Sequence, residues 1–280
     1  MEQAAAIERR VAQHYAQRDL EKTILDALVT AGKDPGSLAA EDLAPIDEFH
    51  TGGRQATIEL AGQLGFPPGS HVLDVGCGIG GASRYFADVG GCRVTGIDLT
   101  EDFIRTAEAL ARRVGLAERV SYRRASALAL PFEPETFDGA YMMHVGMNVQ
   151  DKAKLFAEVR RVLRKGAAFG VYDVALTGKG EVRFPLPCAT TPDICFMVTA
   201  DDYRRELDAA GFKIESVRDR LDVARAFFRQ EQAHAAERNG PAPLGIHLLM
   251  PHEAQATFAN VVSLFDQGIF APVEIICRAR

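Results

Sequence analysis

The 280-residue chain has five cysteines (Cys77, Cys92, Cys188, Cys195 and Cys277), an odd number with no paired short spacing. That argues against a disulfide framework or a zinc site and suits a reducing compartment. No apolar run reaches membrane-spanning length, and Met1-Glu2-Gln3-Ala4 lacks the basic-then-apolar order of a secretory leader. A soluble, cytoplasmic protein without membrane insertion is therefore expected. Massed positive charge is missing too: Lys and Arg are scattered and the net charge is −6. Nucleic acid is disfavoured as the principal ligand, and the cluster Arg119, Arg123, Arg124 reads as a solvated strand edge. There is no internal repeat and no low-complexity stretch. What the chain does have is 47% hydrophobic residues, ample for the core of one large α/β domain or of a core with a helical appendage.

The rest of the chain is organised around Val72-Leu73-Asp74-Val75-Gly76-Cys77-Gly78-Ile79-Gly80-Gly81. It reads as a short strand, a glycine-rich turn and the start of a helix. Glycines let the backbone fold sharply and approach a ligand, and the helix start offers unpaired N–H groups. Asp98 follows about twenty residues later, at the end of the next apolar run, where a carboxylate can grip a ribose. Further strands are expected at Val120 to Arg124, Phe137 to Met143, Ala167 to Val174, Ile214 to Val217 and Val273 to Cys277. Helices are expected after Thr100 as cap, after Asp151 with Gly166 closing, and after Thr199.

Strand alternating with helix predicts a parallel sheet covered on both faces. Ligands in such sheets bind beyond the strand carboxyl ends, where the cradle, Asp98, Ser126 and His144 all fall. The glycine pattern is one residue shorter than the usual dinucleotide fingerprint. Asp74 would repel a pyrophosphate but attract a sulfonium and an amino group, which favours S-adenosylmethionine.

Before the cradle, residues 2–31 read as two helices broken near Asp19, and His50-Thr51-Gly52-Gly53 as a tight loop entering another helix. Residues 178–195 read as a long loop. Residues 221–238 and 252–267 read as helices separated by Asn239-Gly240-Pro241-Ala242-Pro243. The chain thus divides into an N-terminal helical cap (1–55), a core (56–220), a helical insertion or lid (221–268) and a final core strand (269–280). Cap, loop and insertion are expected to roof an apolar acceptor pocket, with Phe184, Phe196, Met197, Phe227, Phe228 and Phe258 supplying its surface.

The cradle, Gly96-Ile97-Asp98-Leu99, Leu130-Pro131-Phe132, Phe137-Asp138 and Glu158-x-x-Arg161-Val162-Leu163 together resemble the class I S-adenosylmethionine-dependent methyltransferases. Within that class they are most similar to the small-molecule group that includes ubiquinone/menaquinone-biosynthesis and sarcosine/dimethylglycine methyltransferases. The resemblance covers residues 70–218. It implies a Rossmann-like three-layer sandwich whose seven-stranded, mostly parallel sheet ends in an antiparallel strand. It also implies a donor site: Gly76, Gly78 and Gly80 around the methionine part, Asp98 on the ribose hydroxyls and Leu99 against the adenine; Asp74 and Cys77 are expected to bind the donor as well. Ser126 stands where the family usually has an Asp for the adenine amino group, which shifts weight to Ala127 and Asp98.

Methyl transfer from a sulfonium needs collinear alignment and dryness more than it needs acid–base groups. Where the acceptor must lose a proton, His144 is the first candidate base, with Asp173 and His50 behind it; His144 also qualifies as a donor contact. The expected partner is a small-molecule acceptor methylated on O, N or C, and a homodimer is compatible. Two other readings stay open: an NAD-dependent oxidoreductase, and a donor-binding protein without catalysis.

Overall fold

The computed structural model describes residues 2–238, 240, 242–250 and 254–280. Met1, Asn239 and Pro241 of the expected break, and residues 251–253 at the expected start of the last helix, lie outside the described residues. Helices α1 (Glu2–Tyr15) and α2 (Leu20–Thr30) come first. Leu20, Ile24 and Leu28, four residues apart, form the buried face of α2. A short α3 (Ala44–Asp47) and a tight loop lead into α4 (Gly53–Leu64). The core then runs β1 (His71–Val75), α5 (Gly81–Asp88), β2 (Arg93–Asp98), α6 (Glu101–Arg113), β3 (Val120–Arg124), β4 (Phe137–Met143), α7 (Lys152–Val162), β5 (Leu163–Leu176), α8 (Ala200–Ala209) and β6 (Phe212–Asp219). Helices α9 (Leu221–Arg238) and α10 (Ala254–Asp266) precede β7 (Phe270–Ala279).

The seven strands lie in the order β3-β2-β1-β4-β5-β7-β6. Strands β1 to β5 are parallel, and β7 runs antiparallel between β5 and β6. This is the expected Rossmann-like arrangement. Leu60, Leu64, Phe86 and Tyr141 pack one face of the sheet; Phe156, Phe169, Tyr203 and Phe212 pack the other. Covering both faces explains why Val72 to Val75 of β1 are all buried, while β6 at the edge, after a buried Phe212, alternates exposed with half-buried residues.

The order reverses between β1 and β4, whose ends are level because Val75 pairs with Met142. The loops leaving these strands diverge and open a crevice at the switch point. Among the described residues, no helix is long and apolar enough to cross a membrane.

Two local expectations are corrected. Gly166 does not close α7, which passes into β5 at Leu163; Gly166 sits inside the strand at φ +79. Between the pairs Phe137↔Leu163 and Gly139↔Ala168, β5 carries extra residues, and this bulge uses the left-handed glycine. The fifth strand is also longer than the expected Ala167 to Val174, because β7 pairs along it as far as Leu176↔Phe270.

Candidate active site

The glycine turn closes on β2: the N–H groups of Gly76 and Cys77 both donate to the Ile97 carbonyl at 2.8 Å. Gly76, Gly78 and Gly80 all have positive φ (+75, +53 and +81), but their surroundings differ. A Cβ on Gly76 would strike Val145 and one on Gly80 would strike Tyr122, whereas one on Gly78 would meet nothing within 4 Å. Two of the glycines thus serve packing, and Gly78 faces open space.

Asp98 ties this turn to the next. Its Oδ2 accepts from the Gly78 amide at 3.0 Å and its Oδ1 from the Thr100 amide at 2.8 Å. Thr100 holds the N-cap position of α6 without a side-chain capping bond, contrary to expectation.

Around these residues lies a cavity of about 200 Å³. Asp74, Gly76, Cys77, Gly78, Asp98, Leu99, Ala127, His50 and His144 line it; Gly80, Ser126 and Asp173 do not. The Ser126 hydroxyl is turned onto the carboxylate of Glu8 and accepts from the Leu128 amide at 3.0 Å. Glu8 itself, on α1, is in the cavity wall. Asp173 is fully buried, accepting from the Tyr203 hydroxyl at 2.7 Å and from the Val174 amide at 2.8 Å. Period-2 alternation along β5 explains this: Tyr172 points to the α4 face, so Asp173 points to the α8 face.

Glu8 and Asn148, which the sequence did not single out, are wall residues too, as is Tyr15. The Tyr15 hydroxyl donates to Asn148 Oδ1 at 2.9 Å, and Asn148 Nδ2 donates to the carbonyls of Cys188 (2.8 Å) and Ile194 (3.0 Å). One satisfied, buried amide therefore joins α1, the turn after His144 and the long loop. No local pattern announces it, because the Tyr15 and Asn148 partners are 133 residues apart.

Asp74 Oδ2 accepts from the hydroxyls of Ser83 (2.6 Å) and Tyr141 (3.0 Å). Burial pushes its carboxyl from 3.8 up to about 7, the two hydroxyl bonds pulling the other way. Its charge is thus conditional, and a cation beside it would hold it ionised. Because the folded acid binds a proton that the unfolded chain releases, it lowers stability as pH rises from about 4 to about 7, by at most about 1.4 kcal/mol per pH unit. Asp74→Asn should remove that slope from the ligand-free protein in urea titrations at several pH values; superimposable pH curves would show that Asp74 stays ionised.

Beside the crevice sits a buried polar network. His50 Nε2 lies 2.9 Å from Glu48 Oε2 and 3.1 Å from Thr57 Oγ1; Thr57 donates to the same carboxylate oxygen at 2.7 Å. Arg54 Nε is 2.8 Å from Glu48 Oε1, and Arg84 pairs with Asp47. Burial alone would raise Glu48, but His50, Arg54 and Thr57 hold it below the usual carboxylate range. A carboxylate at Nε2 assigns the ring proton there in the neutral tautomer and leaves Nδ1, which has no partner, as the free lone pair.

His144 follows β4 at φ +56, its amide donating to the Tyr172 carbonyl at 2.7 Å and its ring stacked on Tyr172 at 5.4 Å. Its Nε2 is buried without a partner, and the two histidine rings are 6.0 Å apart. Burial, with His50 second, holds His144 well below the ordinary histidine range, so it is neutral at pH 7. Both histidines also line a second cavity of about 70 Å³ beneath α9 and α10.

The residues present fit a sulfonium nucleoside: an acid at the end of β2, apolar Leu99 and Leu128 beside it, the open Gly78 and buried Asp74 below. Residues 73–171 match the family described as "Methyltransferase domain". Methyltransferase phqN of Penicillium fellutanum is 34% identical over 127 residues, 45% of this chain and 39% of its own. The chain spans 39, 42 and 52% of the first three curated relatives it matches. Among solved structures, geranyl diphosphate C-methyltransferase of Streptomyces coelicolor A3(2) superposes with a TM-score of 0.70 at 16% identity, covering 98% of both chains. The [4+2]-cyclase SpnF does so with 0.65 at 24% identity, covering 97% of this chain and 96% of its own. One fold therefore carries different named activities, and the reaction has to be argued from the site. Residues 73–171 therefore carry a methyltransferase domain, set in a seven-stranded Rossmann-like sheet.

Proposed function

We propose that the protein transfers a methyl group from S-adenosylmethionine to a small, partly apolar metabolite. The observation that carries this reading is the meeting of two cavities at His50 and His144, one beside the glycine turn and Asp98, the other apolar. When bound, the donor supplies an activated methyl on sulfur, open to in-line displacement. In this reading the Gly76–Gly78 backbone, Cys77 and Asp74 hold its amino-acid end. Asp98 holds the ribose, and Leu99, Ala127 and the Glu8–Ser126 pair flank the base. Residues 1–55 and 221–268 act as cap and lid on the core 56–220, with 269–280 completing the sheet; burial under them excludes water. Where the acceptor must lose a proton, His50 Nδ1 receives it, and Glu48 stabilises the cation that forms. His144, held neutral by burial, orients the acceptor as a hydrogen-bonding group. All five cysteines are free and four are buried, which supports a cytoplasmic setting.

Calorimetric titration with S-adenosylmethionine and with NAD separates this reading from an oxidoreductase: no heat with the first and clear binding of the second would sink it. Methyl transfer to any member of a metabolite panel would remove a purely donor-binding role. Asp98→Ala should weaken donor affinity by roughly 1–3 kcal/mol, the scale of a lost charge-assisted hydrogen bond. Unchanged affinity would mean that the ribose contact is misassigned.

A further inference from the structure

The second cavity differs from the first in charge. Its walls are Phe227 and Phe228 of α9, Phe258, Val261 and Phe265 of α10, and Phe270 opening β7, with Leu186 and Met197 from the long loop. Among the described residues lining it there is no Lys, Arg, Asp or Glu; its polar side chains are His50, Thr51, His144 and Cys188. Arg225 of α9 donates to the carbonyls of Phe265 (3.2 Å) and Asp266 (2.8 Å) at the end of α10. His144 is neutral, and the carboxylate of Glu48 already faces His50.

An ion entering such a chamber loses its hydration and finds no countercharge, a penalty of several kcal/mol even after relaxation. Hydrocarbon entering it gains by leaving water and is not penalised. Selection then works mostly by rejection, as a pocket without partners turns away a polar rival. The chamber adjoins the donor cleft through Phe49, His50, His144, Met147, Pro187 and Cys188, so whatever occupies it can present a group to the donor side.

We infer that this chamber is the acceptor's seat and that it takes a molecule uncharged at neutral pH, largely hydrocarbon, whose one polar group lies between His50 and His144. Phosphate esters, carboxylates and ordinary amines are excluded by the same walls. The inference rests on the proposed methyl transfer and narrows its acceptor.

The test uses the full chain saturated with S-adenosylhomocysteine and the neutral fluorophore N-phenyl-1-naphthylamine. Geraniol and geranyl diphosphate share a hydrocarbon tail and differ in head charge, and each is titrated as a competitor. Geraniol should displace the fluorophore at a midpoint at least tenfold lower. Val261→Arg, which adds a cation to the wall, should narrow or reverse that ratio. Should Val261→Arg fail to fold, Phe258→Trp, which fills the chamber from a half-buried position, should lower fluorophore affinity while the heat of donor binding stays the same. Equal or tighter displacement by the diphosphate, or no fluorophore binding, overturns the inference. Calorimetry with S-adenosylmethionine on the same preparation, before S-adenosylhomocysteine is added, keeps the two readings apart: absent donor heat sinks the methyltransferase proposal, whereas normal donor heat with the wrong competitor order sinks only the uncharged acceptor.

Discussion

His50→Ala should reduce methyl transfer about 100- to 10,000-fold, the range of a lost general base, while donor affinity changes little. The argument is geometric first. Glu48 occupies one ring nitrogen at 2.9 Å, so the lone pair on the other is free, buried and at the junction of the two cavities. A cation formed there has a carboxylate beside it. The neighbouring His144 has none, and burial keeps it uncharged, so it is the weaker proton acceptor although it ends β4. His144→Ala should therefore lower turnover less than His50→Ala, and lower it more than donor affinity. Both are measured as kcat on the acceptor that the metabolite panel identifies, with calorimetry for the donor. If His144→Ala abolishes turnover and His50→Ala leaves it intact, the two roles are exchanged.

Arg84→Met should destabilise the protein by roughly 3–5 kcal/mol, the cost of leaving one member of a buried ion pair without its partner. Arg84 is 1% exposed; it pairs with Asp47 and donates to the Ile79 carbonyl at 2.8 Å. Burial drives the Asp47 carboxyl up to about 6 even with Arg84 pulling it back, so without Arg84 it rises further. The variant's acid then binds a proton at a pH where the parent's is ionised, so the deficit should shrink as pH falls towards about 6 and level off below it. Asp47→Leu in the Arg84→Met background should recover part of the loss, because an apolar pair replaces an orphaned charge. The chain has no tryptophan, so urea unfolding is followed by circular dichroism. A loss under about 1 kcal/mol at pH 7.5 would mean that water reaches Asp47. The pair matters for function because it fastens the loop carrying Glu48 and His50 to the helix that follows the glycine turn. The backbone contact supports this: a Cβ on Gly81 would strike the Asp47 carbonyl.

The sequence by itself determined the alternation of strands and helices, the glycine turn, Asp98 at the end of β2 and His144 at the end of β4. Each rests on signals within a few residues: period-2 apolar runs, glycines at positive φ and acids after strands. The antiparallel last strand came from family resemblance, and the structure places it between β5 and β6. Only the tertiary structure decided which candidate side chains share a cavity. Asp173 and Tyr172 are neighbours in the chain, yet pleating sends them to opposite faces of the sheet: Tyr172 stacks on His144, and Asp173 lies outside the cavity. The Ser126 hydroxyl is paired with Glu8, 118 residues earlier, and His50 is left its free lone pair by Glu48, two residues away but brought round by the loop. Propensity and spacing are local properties. Hydrogen-bond partnership and desolvation belong to the packed chain, and they decide here which groups carry charge and which remain free for chemistry.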